Sequence, residues 1–200
     1  MPDWRVSKKA NLLNTVDSYE DREENDFYAT DPNSLRVFLD RLKIDNISLN
    51  DTIWEPCVGS GALADVLKEY KYNVACSDIV DRGYPGTIMQ DFLSLPKDFI
   101  WNGDILTNPP YKYALECIKQ ALEIIPEGNR VIMFLKLTFL EGKGRKPFYL
   151  ENPPKYIYVF SERQTCYING DFSEKKGSTV CYCWYIWEKG YKGEPVIRWL

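Results

Sequence analysis

The sequence predicts an α/β fold: a three-layer sandwich on one mostly parallel, seven-stranded sheet whose last strand runs antiparallel. Three observations lead there. Short apolar runs alternate with helical spacing between residues 51 and 137, the order that places parallel strands between covering helices. The first of those strands turns into its helix through a glycine-rich stretch, as a ligand-binding corner does. Two later strand patterns are joined by a turn-rich link without a helical pattern, so they pair antiparallel at one edge.

Residues 1–25 are polar and end in the acidic run Glu20-Asp21-Arg22-Glu23-Glu24, which cannot build a core. They read as an arm, with a short helix near Lys8 to Thr15, ahead of a single domain over residues 26–200. After Phe27 and Tyr28, two aromatics that would pin the arm to the core, the spacing Leu35, Phe38, Leu39, Leu42 predicts an amphipathic helix over 33–43. Asp51 to Trp54 is a first strand, and Glu55-Pro56-Cys57-Val58-Gly59-Ser60-Gly61 turns from it into a helix over 62–70. Tyr72 to Ser77 is a second strand with Asp78 at its carboxyl end. Thr87 to Met89 is a third, followed by Gln90-Asp91-Phe92. Asp104 to Thr107 delivers Asn108-Pro109-Pro110-Tyr111, and an apolar stripe over 112–125 is a helix stopped by Pro126 and Gly128. Arg130 to Leu137 is apolar enough for a central strand. The stretch 138–146 reads as a glycine-loosened loop. Lys155 to Phe160 and Thr179 to Glu188 are the two late strands, with a polar segment, 161–178, between them.

Composition narrows the chemistry. The 200 residues, 44% hydrophobic, suffice for one core. Without a single histidine, the usual general base and the Ser-His and Cys-His nucleophile systems are excluded. The six cysteines (Cys57, Cys76, Cys117, Cys166, Cys181, Cys183) sit mostly in apolar runs with no secretory signal ahead of them, which fits reduced thiols and a cytoplasmic protein. They lack the histidine partners of a zinc site, so no structural metal is expected. No stretch is apolar for the length of a membrane span. A formal charge of −4 argues against wrapping nucleic acid by bulk electrostatics, yet it leaves room for a local basic strip.

The candidate site residues lie at strand ends. Two prolines in succession forbid helix and ladder, so Asn108-Pro109-Pro110-Tyr111 must leave the sheet in an extended shape. That shape brings an amide, a carbonyl and an aromatic face near one point, where a planar amine can be held. The bland alternative is a strand-ending turn. Gly59 and Gly61 let backbone approach a ligand, and an acid at the position of Asp78 can accept ribose hydroxyls or simply cap a turn. Lys143, Arg145 and Lys146 are either a solvated loop or a basic loop that grips phosphates.

In this order, F-Y-A-T-D-P at 27–32, E-P-C-V-G-S-G at 55–61, the acids Asp78 and Asp91, and N-P-P-Y at 108–111 resemble the S-adenosylmethionine-dependent DNA adenine-N6 methyltransferases. The resemblance covers most of residues 26–140 and implies the Rossmann-like methyltransferase fold and S-adenosylmethionine as cofactor. It further implies that Tyr28 and Thr30 lie against that cofactor from the amino-terminal side, and that Glu55, Pro56, Gly59 and Gly61 surround its methionine part and ribose. Asp78 would take the ribose hydroxyls and Asp91 the adenine amine, with Phe92 beside that ring. Asn108 and Pro109 would hold the target amine, Asn108 also bordering the cofactor, and Pro110 and Tyr111 would complete the catalytic bend, with Tyr111 stacked on a flipped base. Asp31 is a departure, because the family more often has Thr directly before Pro. Only 92 residues follow Asn108 and the fold needs most of them, so no separate recognition domain is expected. Specificity would then come from the loop at 141–149, the segment 161–178, or a partner subunit. RNA and a protein glutamine amide are alternative acceptors for the same N-P-P-Y pocket, and a non-catalytic, nucleic-acid-binding methyltransferase-like subunit is the alternative of another class.

Overall fold

The structure, a computed structural model, describes residues 28–164, 166–168 and 180–200. The arm with its expected helix, Phe27, and most of the 161–178 segment lie outside those residues. The described chain opens with β1 (Tyr28–Thr30) and α1 (Pro32–Ile44). The extra acid before proline has a local role here: the Asp31 carboxylate accepts from the Asn33 N–H at 2.8 Å and Pro32 occupies the first turn, a capped start that needs no other partner. There follow β2 (Thr52–Glu55), α2 (Ala62–Glu69), β3 (Asn73–Asp78), β4 (Ile88–Met89), β5 (Asp104–Thr107), α3 (Ala114–Ile124) and β6 (Arg130–Lys136). The carboxyl-terminal part holds α4 (Lys146–Glu151), β7 (Tyr156–Val159), β8 (Cys166–Ile168), β9 (Tyr182–Glu188) and β10 (Val196–Trp199).

The main sheet has the order β10-β7-β9-β6-β5-β2-β3-β4. Its pairings are parallel except those of β9, which runs antiparallel to both β6 and β7. The seven expected strands are therefore present in the expected sense, and β10 adds an eighth beyond them. Parallel pairing to β7, an ion pair from Arg198 to Asp45 at 2.7 Å and a bond from Arg41 Nη1 to the Trp199 carbonyl at 2.9 Å hold V-I-R-W as a strand; its side chains are mostly exposed, so no apolar alternation announces it. Two other elements depart from the sequence reading. The basic end of the 138–146 loop runs into α4, and β8 lies in the segment read as polar, where it pairs with β1 in a separate two-stranded ladder.

Strict alternation fills both faces of the sheet. In β6, Val131, Met133 and Leu135 pack toward α3, while Ile132 and Phe134 pack toward α1 and α2; in β9, Tyr185 and Trp187 take the first face, Trp184 and Ile186 the second. Phe38 of α1 stacks on Trp184 at 5.0 Å between ring centres, and Trp184 is wholly buried. Truncating such a residue to alanine costs about 3–5 kcal/mol. This rigid slab holds the carboxyl ends of β2, β3 and β5 in register.

Candidate active site

β2 and β5 are neighbours, with Ile53 beside Asp104 and Trp54 beside Ile105, so their carboxyl ends emerge together. The last residues are tied directly: the Thr107 hydroxyl donates to Glu55 Oε1 at 3.3 Å. The glycine-rich turn after Glu55 and the N-P-P-Y bend after Thr107 are thus side by side. Glu55 is 1% exposed, and its other oxygen, Oε2, has no hydrogen-bond partner among the described residues. Burial pushes its pKa well above the ordinary glutamate value; the Thr107 hydrogen bond opposes that shift and nearby Asp78 reinforces it. A buried carboxyl left short of a partner at a strand end is a place for a ligand's cation.

Asp78, at the end of β3, pins the corner. It accepts from the Gly59 N–H at 2.8 Å and from the Val80 N–H at 3.0 Å. Gly61 caps α2 with φ 89°, and a Cβ there would lie 2.0 Å from the Tyr84 ring, so this position excludes a side chain on two counts. Tyr84 is held over it by donating to Asp65 at 2.6 Å and accepting from Lys68 at 3.0 Å. A cavity of about 480 Å³ opens on that outer side, lined by Ser60, Asp65, Lys68, Arg82, Gly83, Tyr84 and Pro85. It touches the glycine corner and none of the N-P-P-Y residues.

At the bend, Pro109 is buried, Asn108 and Tyr111 are half-buried, and Pro110 is exposed. Asn108 Nδ2 donates to Thr30 Oγ1 at 2.9 Å, which places Thr30 against the bend itself. Tyr28 shares its strand, paired opposite Ile168. Tyr111 opens a 3-10 turn, and the Lys136 ammonium sits 4.7 Å above its ring centre. Tyr182, stacked on Phe134 at 5.0 Å, stands 6.3 Å from Tyr111. Asp91 caps a 3-10 turn, accepting from the Leu93 N–H at 2.9 Å and the Ser94 hydroxyl at 2.5 Å. The Phe92 ring packs edge-on against Trp54 at 5.3 Å and is 4% exposed, so most of it serves the core.

The basic loop divides. Lys143 and Lys146 are exposed, whereas Arg145 turns back on its own loop. Its Nε donates to the Phe139 carbonyl at 2.7 Å, its Nη2 reaches the carbonyls of Thr138 and Glu141, and its guanidinium lies 4.8 Å above the Phe139 ring. Nε and Nη2 of Arg145 thus help close the 138–145 turn.

Three residues of the site were missed in the sequence. Thr107 interrupts an apolar run directly before Asn108, and Lys136 is a lone cation closing a buried strand; both are signals that could have been read. Nothing in G-Y-P-G places Tyr84 on Gly61, since the contact is set by how the 79–86 stretch folds.

No family model and no curated protein matches the chain. Solved structures do match its fold. The methyltransferase subunit of a type I restriction-modification system from Streptococcus thermophilus superposes with a TM-score of 0.63 at 14% identity, over 88% of this chain and 48% of that one. A protein from Listeria monocytogenes assigned to the class I S-adenosylmethionine-dependent methyltransferases gives 0.58 at 14% identity, over 85% and 64%. An S-adenosylmethionine-dependent O-methyltransferase from Thermotoga maritima gives 0.50 at 16% identity, over 82% and 66%. The chain therefore spans 48% to 66% of the length of these three proteins and has the Rossmann-like methyltransferase fold. Of the three, one is named for the atom it methylates, an oxygen, so the likeness leaves the acceptor to the site.

Proposed function

We propose that this protein transfers a methyl group from S-adenosylmethionine to the exocyclic N6 amine of adenine in DNA, with the base flipped out of the helix. One observation carries the reading: the Thr107–Glu55 hydrogen bond sets the N-P-P-Y bend directly beside a glycine corner whose buried carboxyl has an oxygen without a partner among the described residues. The cofactor fits that carboxyl, because its methionine part bears an ammonium group. Glu55 would hold this ammonium, with Pro56, Gly59 and Gly61 around it, Asp78 on the ribose hydroxyls, Asp91 on the adenine amine, and Phe92 and Tyr28 as flanking rings. When bound, S-adenosylmethionine supplies a methyl group already activated on a sulfonium.

The acceptor side follows from the electronic structure of the amine. Its lone pair is delocalised into the ring, so it is a poor nucleophile until the nitrogen becomes pyramidal. Asn108 Oδ1 and the Pro109 carbonyl accept its two hydrogens and favour that change, Pro110 stiffens the bend, and Tyr111 stacks on the base. Attack is in line, and the extra proton leaves to solvent after the bond forms, which needs no histidine. Lys143 and Lys146 offer exposed charge to a phosphate backbone, and Arg145 shapes the loop that carries them. A partner subunit is one source of target specificity.

Labelled methyl transfer to DNA, RNA and protein, measured in parallel, tests the proposal. Label at adenine N6 in DNA is the expected result; label in RNA or on a glutamine amide would replace the acceptor. A folded protein that gives no heat on titration with S-adenosylmethionine would favour the non-catalytic binding subunit.

A further inference from the structure

We infer that Glu55 carries a proton in the ligand-free protein at mildly acidic pH and gives it up when S-adenosylmethionine binds, so that cofactor affinity falls as the solution is acidified. The inference rests on the reading of Glu55 as the group that takes the cofactor's ammonium, and adds that binding and proton release are one event. The carboxyl is 1% exposed, its Oε2 has no hydrogen-bond partner among the described residues, and its Oε1 has the Thr107 hydroxyl at 3.3 Å. An ionised carboxyl so placed is costly, and keeping the proton removes the cost. The Thr107 hydroxyl donates to the ionised form, yet it can accept from the neutral acid as well, so it does not by itself keep the group charged.

The surroundings point the same way. From β3 come Asp78, whose charge opposes a second one, and Cys76, paired opposite Glu55. The glycine-rich turn adds Cys57, with Cys117 of α3 beyond it. Desolvation pushes all three thiols up, Cys76 to about 11 and Cys117 to about 12, so they stay neutral here. On the α2 side, Lys68 and Asp65 act on Cys76 and are both bonded to Tyr84. No cation of the described residues acts on Glu55. A bound cofactor would supply one, which favours the carboxylate. In the balance, the neutral acid and the ammonium become an ion pair, the carboxyl O–H bond breaks, and its proton passes to solvent. The sign follows: a group whose pKa is raised in the free protein and lowered by the ligand gives full affinity above the free value and loses it below.

Calorimetric titration of the full chain with S-adenosylmethionine, in buffers of different ionisation enthalpy, counts the protons released. The range from about pH 5.5 to about pH 7 is suited to it, because the cofactor's α-amino group, with an ordinary value of about 7.7–8.0, stays charged there. Release is expected to approach one proton per cofactor at the acid end and to shrink as the pH rises, with affinity falling by up to about tenfold per pH unit on acidification. Glu55→Gln should bind more weakly, release no such proton and show an affinity that is flat with pH. Independently, in ligand-free protein labelled with 13C at the glutamate carboxyl, the Glu55 signal, identified by its absence in Glu55→Gln, should titrate well above the ordinary value of about 4.3. Binding without proton release across the range would overturn the inference, and so would release undiminished in Glu55→Gln. A wild type that gives no heat with S-adenosylmethionine would remove the cofactor reading instead. The carboxyl titration would then still decide: a midpoint at the ordinary glutamate value refutes the protonated Glu55.

Discussion

The two ends of the parallel strands each bury a carboxyl group, and the two groups are treated differently. At the amino end, Asp104 is 1% exposed and satisfied on both oxygens, by the Arg130 N–H at 2.7 Å and the Asn50 N–H at 2.8 Å. Around it, Glu188 is paired with Arg130 and with Lys155 at 3.1 and 2.7 Å. At the carboxyl end Glu55, equally buried, has one hydroxyl at 3.3 Å and an oxygen with no partner among the described residues. Burial raises both pKa values and a nearby acid adds to each, Glu188 at Asp104 and Asp78 at Glu55; two backbone donors and Arg130 oppose the shift at Asp104, the Thr107 hydroxyl alone at Glu55. Equal burial with unequal satisfaction separates a structural staple from the carboxyl on which the proposed function rests.

That contrast can be broken in four places. Asn108→Ala, at the open end, should reduce methyl transfer about 1000-fold while calorimetry shows cofactor affinity almost unchanged, because the acceptor loses its amide and the cofactor loses little. A mutant as active as the wild type would empty the bend of its role. Glu55→Gln comes next: cofactor affinity should fall about tenfold or more, yet the ligand-free protein should melt higher at neutral pH, since the wild-type carboxyl must either bury a charge or take up a proton on folding and a neutral amide does neither. The sign follows from linkage. A carboxyl whose pKa is raised on folding binds its proton more tightly in the folded state, so stability falls as pH rises from the unfolded value through the folded one. The gain from Glu55→Gln should therefore shrink as the pH is lowered toward the ordinary glutamate range.

Asp104→Asn, at the closed end, should do the reverse. One of the two backbone N–H groups loses its acceptor, at a cost of about 1–3 kcal/mol, and thermal melting should drop by several degrees with activity per folded molecule retained. The smallest effect is expected from Lys136→Met, which removes the ammonium above Tyr111 and keeps an apolar stem. DNA binding should weaken a few-fold and the slope of log affinity against log salt should flatten by at most about one unit, read from titrations at several salt concentrations. A slope that does not move would assign Lys136 to holding the Tyr111 ring alone.

Much of this was legible beforehand, and the reason is periodicity. Strands such as R-V-I-M-F-L-K declare themselves because both faces are buried, and the helices over Pro32–Ile44 and Ala114–Ile124 do so through apolar stripes and stop signals. The turn E-P-C-V-G-S-G and the bend N-P-P-Y were visible because glycine frees the backbone and proline restricts it, both locally. The elements that escaped have no such local cause. β10 is exposed and exists through its neighbour β7; β8 exists through β1; α4 begins in a stretch whose glycines and charges read as loop.

By itself the sequence determined most of the strand and helix order, the positions of the glycine-rich turn and the proline bend, and that the 200 residues hold no histidine, since each depends on residue type and on spacing within a few turns of chain. Tertiary structure alone decided which groups meet. That Thr107 finds Glu55 across 52 residues, that Thr30 finds Asn108 across 78, and that Arg145 closes its own loop instead of reaching outward are outcomes of packing. A hydrogen bond is specified by where two distant backbones are carried, and no local pattern encodes that.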